Sequence, residues 1–581
     1  MTPPLPGAVN ILCMGSARKQ EEVEVESYSS RQIATTLTAR GDQHGSQEKD
    51  SKDTKEVLSI DNGAVLESNV DLDDAVLRAN GHESTLARQF SWISALALGF
   101  NITNSWVGYL SNFGQSLVYG GPQVALFGLL VAFVAQFLIT IGLSEIASAF
   151  PSTGGQYHFC YILSPQKAKR FTAYIIGWMS TIAWWTLTCS GISLAAITLP
   201  GIINFFDHSF VAKQWHIYLF YLSIAVITLI PLFIASRKLS LIVQFSLALS
   251  IFGFFIWLFT AVGMHEHTQP GSFLIQPSLG TSGWSDGTAW VLGVSNCMYA
   301  YGGTDGAIHI SEEIHQPGRR VPQVIAMTLV IGLVTSFSLF LALMYFMIDL
   351  HAVSTSPLPS IELIYQATGN KNVTVFLVAW LLAVYITCLP AQWVTSGRLA
   401  WAFARDNGVP YSSYFSHIDP RLGFPVRTTI AAFVFVCIYG LLYLASTTAF
   451  NSIITSAVLY LNITYAVPQV ILLFKGRNQS LPPRYLNLGW LGYVCNAFAV
   501  LWVVVLGVFI CMPPSLPVAA GSMNYTSVVA VSLFVIVLVL WVFSGRHSFE
   551  GPEIDWELLR VANVESLKSS AGAGPASKAE S

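Results

Sequence analysis

The stretch that decides the fold is YAYGGTDG, residues 299–306, which lies inside an apolar run covering about residues 287–309. Three glycines, a threonine and an aspartate interrupt a segment that is otherwise apolar enough for a membrane helix. A second run, 92–113, is interrupted by LGFNITNSW at residues 98–106, where four polar side chains follow a glycine. Because unpaired backbone groups are costly in hydrocarbon, a membrane helix breaks only where it lines a cavity. The two matching breaks predict a polar site near the membrane midplane, as in secondary transporters.

The composition of the whole chain agrees with a membrane setting. Of 581 residues, 53% are hydrophobic and only 10% are charged, and the mean hydropathy is +0.55. Soluble domains carry about 25% charged residues, so a soluble protein of this size could not cover its surface with so few ions. The balance excludes a disordered chain, a nucleic-acid binder and an ordinary soluble enzyme. It predicts a lipid bilayer as the main surroundings.

Twelve apolar runs approach the ~20 residues that a helix needs to cross a bilayer. Their limits are close to 92–113, 123–149, 171–199, 215–235, 240–263, 287–309, 323–348, 373–398, 429–447, 450–474, 489–512 and 525–544. The interrupted runs are the first and the sixth, so each begins a group of five, 1–5 and 6–10. We therefore expect an all-α polytopic membrane protein with twelve transmembrane helices, of which helices 1 and 6 are broken.

The basic residues orient these runs. When the N-terminus is placed in the cytoplasm, only Lys213 and Lys371 of the 29 Lys and Arg residues fall on the outer side. Cytoplasmic loops of membrane proteins are enriched in Lys and Arg. We therefore expect a multi-pass protein of the plasma membrane with both termini in the cytoplasm.

The two ends of the chain differ from its centre. Residues 1–90 are polar, with acidic runs at 21–24 and 71–74. Such composition is typical of disorder. We expect 1–90 to be a largely disordered cytoplasmic tail, 91–545 a twelve-helix transporter domain, and 546–581 a cytoplasmic C-terminal tail.

Three signatures lie at the predicted cytoplasmic ends of the runs. They are EIASAFPSTGGQY at 145–157, SEEIHQPGRRVP at 311–322 and GRLAWAFARDNGVP at 397–410. They resemble the E-x-x-x-x-x-P-x-x-G-G-x-Y, E-x-x-x-P-x-R-x-x-P and R-x-x-x-x-x-A-R-D-x-x-x-P elements of the amino acid–polyamine–organocation (APC) transporter superfamily. The resemblance is strongest to the fungal amino acid/choline permease branch, because G-F-x-x-T-N-S-W in the first run is similar to fungal choline permeases.

The resemblance covers about residues 85–545 and implies a fold and a mechanism. The fold is of the LeuT type, a 5+5 inverted repeat with spans 1, 3, 6 and 8 around the substrate. The mechanism is secondary active transport by alternating access. Amino acid carriers of this superfamily hold the substrate carboxylate at a G-x-G-type break in span 1. Here the second glycine is missing, in Gly99-Phe100-Asn101, which weakens the case for a carboxylate.

Aromatic residues near the breaks favour a cationic substrate. They are Trp106, Trp184, Trp185, Tyr299, Tyr301 and Trp393. Aromatic faces attract quaternary ammonium ions by about 2 kcal/mol or more when desolvated, although Trp and Tyr also gather in cores and at membrane interfaces. Asp305 would add a negative charge, so choline or a related small amine fits better than a zwitterion. The predicted substrate-binding residues are Gly99, Asn101, Thr103, Asn104, Trp184, Tyr299, Tyr301, Gly302, Gly303 and Asp305.

Charged residues at the inner ends of the spans form a second candidate set. They are Glu145, Glu312, Glu313, Arg319, Arg320, Arg398 and Arg405. Charge pairs among them could close the cytoplasmic side during alternating access. The other interpretation is ordinary anchoring of helix ends at the interface.

The sequence leaves the energy source and the substrate open. It has no Walker motif and no HExxH or GxSxG motif, so we expect no enzyme, no cofactor and no metal site. Asp305, Glu145 or His309 is a candidate carrier of a coupling proton, while a Na⁺ site and uniport remain alternatives. Amino acid, GABA or polyamine transport is the alternative within the same fold. A nutrient sensor that binds but does not transport is the alternative of another class.

Overall fold

The computed structural model describes residues 69–445, 447–518 and 523–572. Within these ranges the regular structure is helical, apart from one isolated parallel bridge between Phe90 and Ile314. The principal helices are α1 (Asn69–Ala79), α2 (Trp92–Thr103), α3 (Ser105–Asn112), α4 (Gly114–Ala149), α5 (Gln156–Leu163), α6 (Lys169–Phe206), α7 (Gln214–Ile234), α8 (Leu239–Met264), α9 (Asp286–Cys297), α10 (Pro317–Tyr345), α11 (Lys371–Arg405), α12 (Val426–Gly440), α13 (Thr447–Lys475), α14 (Leu491–Ile510), α15 (Thr526–Leu540) and α16 (Trp556–Gly572).

Short helical turns connect or continue these helices. Those of the α type are Gly271–Ile275, Leu350–Thr355, Pro359–Thr368, Ser412–Phe415, Leu442–Ala445, Arg477–Ser480 and Arg546–Ser548. The 3₁₀ turns are Ser236–Lys238, Met298–Tyr301 and Thr304–Glu313, and a π turn covers Trp541–Gly545.

Ten helices in the described ranges, some together with the turns that continue them, are long and apolar enough to cross a membrane. They are α4, α6, α7, α8, α10, α11, α12, α13, α14 and α15. Each overlaps one of the twelve predicted runs. Hydropathy placed several ends too far inward because helices also continue through polar residues: α6 has 38 residues and α11 has 35. α4 starts at Gly114 rather than near 123 because it continues across a kink at Gly120 and Gly121.

The other two predicted runs are the interrupted ones, and the structure contains both breaks. In the first, Asn104 adopts the left-handed conformation (φ 30°, ψ 58°) between α2 and α3, which asparagine tolerates better than most residues. The break is therefore at Asn104 rather than beside Gly99. Gly99 lies inside α2, where an added Cβ would stand 3.0 Å from the Thr328 hydroxyl of α10.

The second break separates the two halves of the sixth run. α9 continues as the 3₁₀ turn Met298–Tyr301, after which Gly302 is extended and Gly303 is left-handed (φ +75°). The chain then resumes as the 3₁₀ segment Thr304–Glu313. This segment and α2–α3 are buried at the centre of the helical bundle.

The short helix α5 has an amphipathic sequence. All eight of its residues are nevertheless buried, packed against α6 and α13. Its polar side chains therefore have partners inside the protein.

The described part of the N-terminal tail is helical, which the sequence analysis did not expect. Residues 1–68 lie outside the described residues, but α1 packs against α16, and the Asp555 amide donates to the Ala79 carbonyl at 2.9 Å. Leu72 and Val76 of α1 are buried, as is Leu559 of α16. Local composition could not show this order because the apolar partner of α1 lies almost 500 residues away in the sequence.

Candidate substrate cavity and its two closing faces

A small cavity lies where the two breaks meet. Its volume is about 30 Å³, which is close to the volume that one water molecule occupies in the liquid. The space between the two breaks is therefore small. The lining residues belong to both breaks, to α6 and to α11: Asn101, Ile102, Thr103, Asn104, Gly108, Leu187, Gly191, Tyr299, Gly302, Tyr385, Cys388, Leu389 and Gln392.

Five predicted substrate residues line this cavity. They are Asn101, Thr103, Asn104, Tyr299 and Gly302. The Asn101 amide donates to the Val243 carbonyl of α8 at 2.8 Å. The Asn104 amide group donates to Cys388 Sγ at 2.9 Å, and its oxygen accepts from Ser250 at 2.8 Å. Both asparagines thus fasten the first break to its neighbours as well as facing the cavity.

The other five predicted residues lie outside the lining: Gly99, Trp184, Tyr301, Gly303 and Asp305. Tyr301 points toward α4, where its hydroxyl donates to the Leu129 carbonyl at 3.3 Å. Tyr299 and Tyr301 diverge because each residue of a 3₁₀ turn rotates by about a third of a turn. Gly303 stands behind the lining, since an added Cβ would meet Leu187 at 2.7 Å.

Most of the tryptophans proposed for the cavity pack elsewhere. The indole N–H of Trp106 donates to Ser250 Oγ at 3.0 Å, and that of Trp393 donates to Thr228 Oγ1 at 3.0 Å. The indole N–H of Trp185 donates to the Ser396 carbonyl at 3.4 Å. The aromatic part of the lining therefore consists of Tyr299 and Tyr385.

The resemblance implied that span 8, which is α11, lies beside the substrate, but the sequence analysis named none of the α11 residues that line the cavity. Tyr385, Cys388 and Gln392 complete the cavity wall. Gln392 donates to the Ile102 carbonyl at 3.3 Å, and its buried side-chain oxygen has no hydrogen-bond partner among the described residues. A signal was present in CLPAQ, residues 388–392, which places a proline and a glutamine inside an apolar run.

In the described part of the chain, no charged side chain lines the small cavity. Its chemistry consists of two tyrosine rings, amide groups and the backbone at the two breaks. Its described lining offers neither a lysine nor an arginine to a carboxylate, and no carboxylate to an amine.

On one side, the cavity is separated from a larger one by Tyr299. The larger cavity, here called the vestibule, measures about 450 Å³, and Tyr299 contributes to the walls of both. The hydroxyl groups of Tyr299 and Ser190 are hydrogen-bonded at 2.5 Å. The polar part of the vestibule wall is uncharged over the described residues and includes Asn112, Gln115, Ser295, Asn296 and Asn524.

The opposite side, here called the ion-pair face, is closed by buried carboxylates. Glu145 pairs with Arg477 and Arg484, Glu312 with Arg405, and Glu313 with Arg398. The contacts of Arg405 and Glu312 are 2.9 and 3.0 Å long. The three carboxylates are at most 2% exposed.

Most of the predicted charged residues take part in these ion pairs. Glu145, Glu312, Glu313, Arg398 and Arg405 all join ion pairs, whereas the Arg319 guanidinium lies over the Tyr485 ring at 5.1 Å. Arg477 and Arg484 were expected only as cytoplasmic loop charges. Their role as partners of Glu145 depends on a contact across more than 330 residues.

The segment between α1 and α2 covers the same face. The Phe90 amide donates to the Glu313 carbonyl at 3.1 Å, and Gln89 donates to the Glu313 carboxylate at 2.7 Å. His82 lies 3.0 Å from the Asp406 carboxylate. Burial acts to raise the pKa of Asp406, but His82 and neighbouring Arg405 outweigh it and hold that pKa at about 2.

At Asp73 of α1, the effect of burial on the pKa exceeds that of the neighbouring groups. Its carboxylate accepts the Gln316 amide at 2.9 Å, but burial dominates and raises its pKa to about 6. The N-terminal segment is therefore held partly by a carboxylate for which ionisation is unfavourable.

Asp305 is fully engaged by protein groups away from the cavity. Oδ2 accepts from the Gln156 amide at 2.6 Å and from the Trp184 indole at 3.2 Å, and Oδ1 accepts from the Tyr465 hydroxyl at 2.5 Å. His309 Nε2 lies 3.0 Å from Oδ2. Asp305 is 1% exposed, so in this conformation it is a packing and hydrogen-bonding centre rather than part of the lining.

Comparisons with known proteins agree with this architecture. The family model described as amino acid permease matches residues 90–539. The chain is 32% identical over 493 residues to a choline transporter of Saccharomyces cerevisiae, covering 83% of this chain and 86% of the relative. It is 29% identical to the transmembrane transporter swnT of Metarhizium robertsii, with 80% and 93% covered. It is 28% identical to amino-acid permease 2 of Neurospora crassa, with 84% and 90% covered.

Proposed function

The chain belongs to the amino acid permease family of the APC superfamily, and we propose that this permease carries choline or a related small amine by alternating access. It is a transporter and not an enzyme, as its family and its relatives indicate. The observation that carries the substrate proposal is the small uncharged cavity between the two breaks, walled by Tyr299, Tyr385 and Gln392.

The lining favours a quaternary ammonium group over a zwitterion. A trimethylammonium group has no N–H to donate, so it needs aromatic faces and outward-pointing oxygen dipoles rather than a fixed acceptor. Tyr299 and Tyr385 supply the faces, and the unpartnered Gln392 oxygen supplies a dipole. An amino acid would also bring a carboxylate, which carriers of this superfamily hold at a G-x-G-type break in span 1, and here the second glycine is missing. The yeast relative named as a choline transporter supports the same substrate.

The architecture proposed for this mechanism has twelve spans. Ten are the long helices, and the broken pairs α2–α3 and α9 with Thr304–Glu313 supply the other two. Broken span 1 with α4, α6, α7 and α8 would form one repeat, and broken span 6 with α10, α11, α12 and α13 its inverted counterpart. Two helices, α14 and α15, follow.

The distribution of basic residues supports an orientation for this bundle. Arg398, Arg405, Arg477 and Arg484 all lie at the ion-pair face, so we place that face in the cytoplasm and the vestibule outside the plasma membrane. Both termini would then be cytoplasmic, with the transporter domain at 91–545 between tails 1–90 and 546–581. In this arrangement the structure is closed on the inside and separated from the outside by Tyr299.

Uptake of radiolabelled choline tests the substrate. Yeast cells that lack their own choline uptake would express the full chain, and we expect saturable uptake that excess unlabelled choline abolishes and excess GABA, arginine or putrescine does not. No uptake above background, with the protein confirmed at the cell surface, would overturn the choline proposal. Inhibition by GABA or arginine would instead support the amino acid alternative, and inhibition by putrescine the polyamine one.

A matched pair of variants tests the cavity. Tyr385→Phe keeps the aromatic ring, whereas Tyr385→Leu removes it. Loss of a desolvated cation–π contact of about 2 kcal/mol corresponds to about a thirtyfold rise in KM, expected only in the leucine variant. Equal KM values in both variants would remove Tyr385 from the site.

A flux measurement distinguishes a transporter from a sensor. A sensor would bind choline but would not move it across the membrane of proteoliposomes that contain the purified protein. We expect choline to accumulate inside such vesicles.

A further inference from the structure

The pair formed by Asp305 and His309 has a geometry that fixes its proton content. The two residues are four positions apart in the segment Thr304–Glu313, with Nε2 of His309 3.0 Å from Oδ2 of Asp305. Both side chains are at most 1% exposed. Neither lines the substrate cavity, so the role of the pair is distinct from direct contact with the substrate.

The other ring nitrogen of His309 decides where hydrogens are required. Nδ1 lies 3.0 Å from the Thr153 carbonyl oxygen. A carbonyl oxygen only accepts, so Nδ1 carries a hydrogen. If His309 is neutral, Nε2 then presents a lone pair to Oδ2, and two acceptors face each other at 3.0 Å. The contact is satisfied only when one further proton lies on Nε2 or on Oδ2.

The groups around the pair donate to the Asp305 carboxylate and do not compete for the further proton. Gln156, Trp184 and Tyr465 all donate to the Asp305 carboxylate, from α5, α6 and α13. Among the described residues in hydrogen-bond contact with the pair, Tyr465 is the other titratable group, and its O–H is a donor.

The charged groups near the pair, in its own segment and on neighbouring helices, already have partners. In the same segment, Glu312 and Glu313 are paired with Arg405 and Arg398 of α11. α2, which also packs on this segment, has no titratable side chain. At the start of α10, Arg319 lies over Tyr485, and Arg320 donates to Gln323 at 3.2 Å.

We propose that Asp305 and His309 together form the proton-binding site through which this permease uses the proton gradient. The inference rests on the proposed transport function. No covalent bond other than N–H or O–H changes when the proton binds or leaves.

The position of the pair links proton loss to opening. When the proton leaves, the Asp305 carboxylate faces the His309 lone pair, and the contact between them is lost. The segment that carries them ends in Glu312 and Glu313, whose ion pairs close the ion-pair face. Release of the proton therefore loosens the segment that holds this face shut.

A transport experiment tests the coupling. Purified full-length protein in proteoliposomes is assayed for radiolabelled choline accumulation driven by an inward proton gradient, and for choline exchange without a gradient. His309→Gln retains an N–H donor for Asp305 but cannot release a proton. We expect it to lose gradient-driven accumulation and to keep exchange. Asp305→Asn should also lose accumulation while reaching the membrane normally.

The matched control is His267→Gln, on an exposed loop, which should leave both activities unchanged. Gradient-driven accumulation by His309→Gln and Asp305→Asn at the wild-type level would overturn the proton site while leaving the permease assignment intact.

A second experiment does not depend on choline. Hydrogen exchange of residues 304–313 in the purified protein is measured across pH and corrected for the intrinsic rate. We expect protection in the wild type to fall as the pair loses its proton, and to be independent of pH in Asp305→Asn and His309→Gln. The same pH response in the wild type and both variants would overturn the proposal. A response confined to the wild type and to His267→Gln would support it, even if choline proved not to be the substrate.

Discussion

The two faces of this permease are closed in different ways. On the ion-pair face, Glu145, Glu312 and Glu313 are buried with their arginines, and the segment before α2 contacts Glu313. On the vestibule face, a 450 Å³ cavity reaches inward to Tyr299, which is held by a hydroxyl contact to Ser190. Several buried ion pairs hold the first face together, whereas Tyr299 is shared by the walls of the vestibule and the small cavity on the second.

This asymmetry has an energetic consequence. A buried charge that loses its partner is strongly destabilising because the remaining ion stays desolvated. A single neutral hydrogen bond contributes only about 1 kcal/mol. Single substitutions on the ion-pair face should therefore lower the stability of the protein. Those on the vestibule face should mainly change access to the small cavity.

The largest effect is expected from Glu145→Ala on the ion-pair face. It leaves Arg477, which is 1% exposed, without its carboxylate. Breaking a buried pair in this way costs about 3–5 kcal/mol, measurable as a large fall in the thermal unfolding temperature of the purified protein. The control is Glu565→Ala, which removes a surface pair with Lys568 and should change little. Similar temperatures for both variants would contradict the role assigned to the face.

The next largest effect is expected at the second helix break, at Gly303. At Gly303 the backbone is left-handed, and a Cβ would meet Leu187 at 2.7 Å and Ile102 at 2.8 Å. Gly303→Ala should therefore cost about 2–4 kcal/mol of strain and overpacking and abolish uptake. Gly369 is also left-handed (φ +63°), but no atom lies within 4 Å of an added Cβ, so Gly369→Ala is the matched control and should retain uptake. Loss of uptake in both variants would show that the side-chain space at Gly303 is not what matters.

A smaller effect is expected from Tyr299→Phe on the vestibule face. Loss of the contact with Ser190 removes about 1 kcal/mol, which should raise access to the cavity about fivefold. Cys388 lines the cavity, so its rate of modification by a membrane-impermeant thiol reagent, followed by peptide mass spectrometry, measures that access. Buried Cys160 of α5 serves as the internal control. Unchanged modification of Cys388 would show that Tyr299 does not separate vestibule and cavity.

The smallest effect is a pH dependence of the N-terminal segment. Asp73 has a pKa of about 6 when α1 is docked, above its ordinary 3.8. Its contribution to docking is therefore complete below about pH 4 and is lost as the pH rises through 6. Between pH 5.5 and 7.5 the docking equilibrium should weaken about fourfold, seen as faster intrinsic-rate-corrected hydrogen exchange in residues 72–79. Asp73→Asn should remove this dependence, and an unchanged pH response in that variant would exclude Asp73 as its source.

Local chemistry explains which parts of the site could be predicted from the sequence. Asn104 and Gly303 belong to residue types that tolerate the left-handed backbone, so the breaks were visible as sequence. Glu145, Glu312, Glu313, Arg398 and Arg405 were visible as charges at span ends. The direction of Asp305 was not visible, because the 3₁₀ geometry after Gly303 rotates it toward Gln156 and Tyr465.

By itself, the sequence determined the membrane setting, the helical class, the approximate limits of the spans and the positions of the two interruptions. These follow from hydropathy, helix length and backbone preference, which act within a few neighbouring residues. Only the tertiary structure decided that Gln392 completes the cavity, that Arg477 and Arg484 meet Glu145, and that α1 packs on α16. Those contacts join residues far apart in the chain, so they depend on how the helices pack rather than on any one stretch of sequence.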